Sequence, residues 1–231
     1  MIKLGIFGDS FAHLDNEKIG TSYIEYLDMK DNISVTSYGF SGSNLYYSYD
    51  IFKEKHHNYD KIIFFITHPA RLCIPNTENN KVANIYSLAY AEHLIKNEIL
   101  SKADKKIVSA VIDFYKYVFN QDEYKLYHFL MCEDIKRVRN DALLIDCFGF
   151  NNTNFVKDQL NMFDIAMLDK MKDDIPISTI MGIDRRMNHM NYENNKIFAD
   201  KILEWISVGV FNFLSIEDFT STTGIEEFYK I

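Results

Sequence analysis

Apolar positions along this chain fall into short runs of two different periods, and the two alternate from the amino end. Residues 2–8 are nearly continuous in apolar character around Leu4, Ile6 and Phe7, which predicts a buried strand. Over residues 17–30, Ile19, Tyr23, Tyr26 and Leu27 recur at helical spacing. Ile33 to Tyr38 alternates as a short strand, and a glycine-bearing loop, Gly39 to Asn44, leads into a helix over 44–56. Lys61 to Thr67 (KIIFFIT) gives the strongest strand signal: apolar, β-branched and aromatic, and too short for a typical helix. His68-Pro69 ends it.

From about 83 to 140 the pattern reads as helical throughout. Ile107, Val108, Val111, Ile112, Tyr115, Val118 and Phe119 form one stripe, and Tyr124, Tyr127, Leu130 and Met131 a second. Ala142 to Phe148 returns to strand, and 151–172 mixes loop and helix. Asn191 is placed to cap a last helix whose buried face is Ile197, Phe198, Ile202, Trp205 and Ile206. Strands alternating with helices imply an α/β domain with a parallel sheet and crossover helices. No repeat, low-complexity tract or linker divides residues 1–231, so one domain is expected. The helical stretch at about 75–140 exceeds what a crossover needs and is a candidate lid or substrate-selecting wall.

Composition narrows the partners more than the fold. At 231 residues, 47% hydrophobic and 25% charged, the chain can bury one sizeable core. Its net charge of −8 and lack of a basic stripe argue against nucleic acid. No apolar run approaches the roughly 18–20 residues of a membrane span. Gly8-Asp9-Ser10 interrupts the first apolar stretch before a signal-peptide core could form. A cytoplasmic protein is expected, although an acidic, aromatic-rich chain equally suits a virion or cell-surface assembly component. Three cysteines, Cys73, Cys132 and Cys147, lack CxxC spacing and read as reduced, buried thiols, with no metal and no cofactor implied.

The candidate chemistry lies at predicted strand ends. Ser10 follows the first strand in Gly8-Asp9-Ser10, where an open α/β sheet binds ligands. Gly42 and Asn44 follow the second, and His68 the third. His189 precedes the last helix, with Asp184 five residues before it. A serine hydroxyl becomes a useful nucleophile when a base takes its proton, and a histidine is suited to that role. A carboxylate behind the histidine fixes its tautomer. Gly42 lets a backbone N–H approach a developing oxyanion, because no side chain intervenes. Asp9 holds the turn through Asx-type bonds. Arg71 is suited either to a substrate anion or to a structural ion pair.

At these residues the chain resembles the SGNH, or GDSL-type, hydrolases. Gly8-Asp9-Ser10 matches the first block of that family, Ser41-Gly42-Ser43-Asn44 the second, and His189 with Asn191 and the following amphipathic helix the last. The resemblance implies a three-layer α/β/α sandwich with a mostly parallel, flavodoxin-like sheet. It implies a serine esterase removing a small acyl group, often acetyl from a carbohydrate, with Ser10 as nucleophile and His189 as base. The Ser10 and Gly42 amides would donate to the oxyanion. Two positions depart from the family pattern. Its third block carries an asparagine where this chain has Thr67-His68-Pro69, so His68 stands nearest to that donor. Its acid lies three residues before the histidine, where this chain has Arg186, and Asp184 lies two further back.

Two other classes compete. A phosphate-binding α/β protein would need GxGxxG or GxxxxGK[ST], and neither occurs. An inactive SGNH-like component that binds a glycan or a protein fits the two departures, whereas Ser10, Gly42 and His189 fit an enzyme.

Overall fold

A computed structural model describes residues 1–14, 22–40, 43–69, 71–73, 82–84, 102–147 and 192–209. The first apolar run forms β1 (Ile2–Gly8), followed by α1 (Tyr23–Asp28), β2 (Ile33–Gly39), α2 (Leu45–Lys55) and β3 (Lys61–Ile66). Then come two short strands, β4 (Arg71–Cys73) and β5 (Val82–Asn84), two helices, α3 (Lys102–Tyr117) and α4 (Gln121–Val138), β6 (Leu143–Asp146) and α5 (Tyr192–Val208). Among the described residues the main sheet has the order β2-β1-β3-β6, and every pairing in it is parallel. That is the parallel sheet expected from the strand–helix alternation, and its order is consistent with the flavodoxin-like fold that the resemblance implies.

The three layers follow from strand periodicity. Successive side chains of a strand point to opposite faces, so a strand covered on both sides reads as a continuous apolar run. Leu4, Ile6, Ile63, Phe65 and Ile145 face one core, closed by Tyr23, Ile24 and Leu27 of α1 and by Phe198, Ala199, Ile202 and Trp205 of α5. Phe7, Ile62, Phe64, Ile66 and Leu144 face the other, closed by Leu45 and Phe52 of α2 and by Cys132 and Ile135 of α4. Among the described residues β2 lies at the edge of this sheet, and after Ile33 it is only half-buried, so it carries polar as well as apolar residues. Cys132 and Cys147 are buried thiols without a disulfide.

Caps set the helix starts. Ser22 accepts from the Ile24 amide, and Glu25 reaches back to the Ser22 amide, a capping box that starts α1. The helix expected over 17–30 ends at Asp28 with Met29 as its C-cap, and residues 17–21 lie outside the described ones. Asn120 accepts from the amides of Asp122 and Glu123 and thereby separates α3 from α4.

One expectation is corrected. The stretch from about 83 to 140 is not helical throughout, because β5 pairs antiparallel with β4, Val82 opposite Cys73 and Asn84 opposite Arg71. Three residues are too few to display a period, and the partner strand decides their conformation. The expected segment 151–172 and the cap at Asn191 lie outside the described residues. No helix among the described residues is long and apolar enough to cross a membrane.

Candidate active site

The site is built on the carboxyl ends of β1, β2 and β3. Strand β1 ends at Gly8, whose φ of +150° few side-chain-bearing residues adopt; a Cβ there would stand 2.6 Å from the Cβ of Phe65. The chain then turns sharply, the Ala12 amide donating to the Asp9 carbonyl at 3.1 Å and the His13 amide to the Ser10 carbonyl at 3.3 Å. Asp9 Oδ1 accepts from the Phe11 amide at 3.1 Å, which is the expected Asx-type bond. Ser10 rides at the head of this turn, 7% exposed.

The turn is gripped from outside. It crosses β2 at Gly39, where a Cβ would fall on the Ala12 backbone, so only glycine admits the crossing. Ser37 Oγ donates to the Ala12 carbonyl, and a His13 ring nitrogen lies 3.0 Å from the Gly39 carbonyl. Tyr23 Oη donates to the Phe11 carbonyl at 2.8 Å, while the Tyr23 amide donates to Asn195 Oδ1 on α5 at 3.0 Å.

The loop after β2 is tied to the end of β1. The Gly8 carbonyl accepts from the Phe40 amide at 3.3 Å, Ser43 Oγ at 3.3 Å and Ser48 Oγ at 2.9 Å. Asn44 caps α2, its Oδ1 accepting from the Tyr47 amide at 3.0 Å. The cap occupies the carbonyl end of this side chain and leaves its Nδ2 end as a donor.

Strand β3 supplies the third turn. Thr67 Oγ1 donates to Asp9 Oδ2 at 2.8 Å, and Arg71 Nη1 approaches the same oxygen at 2.6 Å. Asp9 is fully buried and the Arg71 side chain is only 11% exposed, so the two charges compensate each other away from water. Arg71 Nη1 also donates to the Ser43 carbonyl at 3.2 Å. His68, 2% exposed, has its pKa lowered to about 4 by burial first and then by the charges of Arg71 and Lys125. His128 of α4 is equally buried, and its pKa falls to about 3 through burial and the charge of His68. Both rings are therefore neutral imidazoles at ordinary pH. Burial pushes the Cys132 thiol up to about 12, and it raises Cys147 as well, with Asp9 and Asp146 adding to that rise. Neither is a nucleophile at neutral pH.

Of the residues singled out by sequence, Asp9, Ser10, Asn44 and His68 lie on the carboxyl-end turns of one sheet, and Arg71, which opens β4, reaches Asp9 there. Gly42, Asp184 and His189 lie outside the described residues. Thr67, Ser43, Ser48 and Asn195 were not foreseen as parts of the site. A threonine closing an otherwise apolar strand was the available signal for Thr67, since a buried hydroxyl there needs a partner. No cluster of metal-binding side chains occurs among the described residues.

No protein-family model matches the chain, and no curated protein does. Among solved structures it is similar to a G-D-S-L family lipolytic protein from Desulfitobacterium hafniense DCB-2, at 13% identity over 87% of this chain and 97% of that one, with a TM-score of 0.35. It is similar to a member of the same family from Veillonella parvula DSM 2008, at 12% identity, 90% and 99% coverage and a TM-score of 0.37. The acetyl xylan esterase AlAXEase gives 17% identity, 89% and 100% coverage and 0.38. At such identities and scores these likenesses carry no weight for function, which rests on the geometry of the site.

Proposed function

We propose that this chain is a serine ester hydrolase that removes a small acyl group, acetyl from a carbohydrate being the substrate class that analogy with the SGNH hydrolases favours. One observation carries the reading. The turn bearing Ser10, the loop bearing Asn44 and the turn bearing His68 meet at the carboxyl ends of adjacent parallel strands, joined through Gly8, Asp9, Ser43 and Thr67.

In this mechanism Ser10 Oγ attacks the ester carbonyl while His189 takes its proton. The carbonyl oxygen becomes an oxyanion held by the Ser10 and Gly42 amides, with Asn44 Nδ2 and the His68 ring as side-chain donors. A neutral His68 carries one N–H, so it can donate a hydrogen bond without placing a full positive charge in the site. The tetrahedral intermediate collapses, His189 protonates the departing alcohol, and water then releases the acid from Ser10 by the same steps in reverse order. Asp184 or a backbone carbonyl orients His189. No metal or cofactor takes part. Because the carboxyl half of α4 belongs to the second core, a substrate-selecting wall would come from the earlier part of 75–140.

A second reading, an inactive glycan- or protein-binding relative, draws on His68 standing deeply buried where the SGNH pattern has an asparagine donor. Hydrolysis of p-nitrophenyl acetate and longer esters by the wild type, Ser10→Ala and His189→Ala separates the two. The esterase reading expects a wild-type rate that falls by about a thousandfold or more in both variants. Equal rates in all three across every acyl length would overturn it in favour of binding.

A further inference from the structure

A buried guanidinium is an unusual neighbour for a nucleophile turn, and Arg71 contacts more than its counter-ion. Its Nη1 meets Asp9 Oδ2 at 2.6 Å and the Ser43 carbonyl at 3.2 Å. Its own amide donates to the His68 carbonyl at 3.1 Å, and its backbone opens β4 in the ribbon with β5. Thus one nitrogen joins the turn after β1 to the loop after β2, and it is carried by the segment that follows β3. Asp9 Oδ1 in turn sets the Phe11 amide, one residue past Ser10, and Ser43 lies between Gly42 and Asn44.

From this geometry we infer that Arg71 is a positioning residue: it fixes the distance between the Ser10 turn and the 42–44 loop without touching the substrate. This inference rests on the esterase reading for its kinetic consequence and on the hydrogen bonds alone for its structural one. The guanidinium suits the task, because the two N–H groups on Nη1 diverge at a fixed angle within its rigid plane, one toward a carboxylate and one toward a carbonyl. A lysine would supply the charge but not the fixed angle. A methionine would supply neither and would leave Asp9 buried with only Thr67 and the Phe11 amide.

Nucleophile and oxyanion donors act together only when held to within a fraction of an ångström, and a misplacement of about 1 Å costs on the order of a hundredfold in rate. The test compares Arg71→Met and Arg71→Lys with the wild type in two measurements. One is kcat and KM on p-nitrophenyl acetate. The other is amide hydrogen exchange at Phe11 and Ser43, with the amides of β3 as the internal reference. The expected result is a kcat lowered by roughly a hundredfold in Arg71→Met with KM little changed, and an intermediate value in Arg71→Lys. In both variants exchange at Phe11 and Ser43 rises by more than at the β3 amides, whose change reports the loss of global stability alone.

An unchanged kcat in an active enzyme overturns the inference, as does unchanged exchange at Phe11 and Ser43. So does a loss of protection spread evenly over the sheet, which would make Arg71 a general stabiliser. If Arg71→Met does not fold, Arg71→Lys decides by the same criteria. A wild type with no Ser10-dependent rate defeats the esterase reading, and exchange at Phe11 and Ser43 still decides whether Arg71 holds the two loops.

Discussion

Two carboxylates in this molecule each gather three donor groups, yet they sit in opposite surroundings. Asp134 on α4 accepts from Tyr49 Oη at 2.6 Å, Lys53 Nζ at 2.9 Å and the Arg137 guanidinium, and so staples α2 to α4 at the rim of the second core. Asp9 accepts from Thr67, Arg71 and the Phe11 amide at the centre of the sheet's carboxyl edge. The Asp134 side chain keeps 20% of its surface in water and Asp9 keeps none. Water replaces lost partners at the first and cannot do so at the second. The same donor count therefore makes a replaceable staple in one place and an obligatory junction in the other.

The largest test of that difference removes each acid in turn. Asp9→Ala leaves the Arg71 guanidinium without its buried counter-ion and should cost about 3–5 kcal/mol in urea unfolding. A loss below about 1 kcal/mol would mean that solvent reaches this edge after all. Next comes acid. His68 and His128 are neutral in the fold, with pKa values of about 4 and 3, and they regain an ordinary value of about 6.5 when the chain unfolds. Between those values the unfolded chain binds more protons, so stability is complete above about pH 6.5 and falls as the pH drops toward 4. For His68 the full loss is on the order of 3 kcal/mol, and His68→Gln should flatten that part of the pH profile in thermal melts. A slope identical to wild type would show that His68 meets water in the native state.

The smallest effect belongs to the surface staple. Asp134→Ala should cost no more than about 1 kcal/mol in the same urea titration and should leave Ser10-dependent hydrolysis intact. The Tyr49 hydrogen bond, and after it those from Arg137 and Lys53, hold the Asp134 carboxyl well below the usual range. The contribution is thus present above about pH 4 and disappears only in stronger acid.

What the sequence disclosed follows from how each feature is encoded. Strands β1 and β3 were legible because both of their faces are buried, which leaves an apolar run with no competing period. The face of α5 was legible from the spacing of Phe198, Ile202 and Trp205. The β4–β5 ribbon was not, since each strand contributes three residues and the pairing is set by a partner about ten positions away. In the site, Ser10 and His68 announced themselves by following strands. The junction at Asp9 did not, because Thr67 and Arg71 stand 58 and 62 residues away and only the sheet brings them together. For Arg71 the sequence favours an ion pair over a substrate contact without naming the partner, and the sheet supplies Asp9.

Those separations also bear on the order in which the chain acquires its parts. The helices can form from neighbours, but the Ser10 turn is braced by Gly39, Ser43, Thr67 and Arg71, none of which is near it in sequence. Contacts between distant residues form slowly, because the intervening loop must close before any of them contributes. A chain with its helices formed but β1 not yet between β2 and β3 has Ser10 on an unbraced turn. On the proposed esterase reading, recovery of Ser10-dependent hydrolysis during refolding should therefore trail the helical signal and keep time with closure of the parallel sheet.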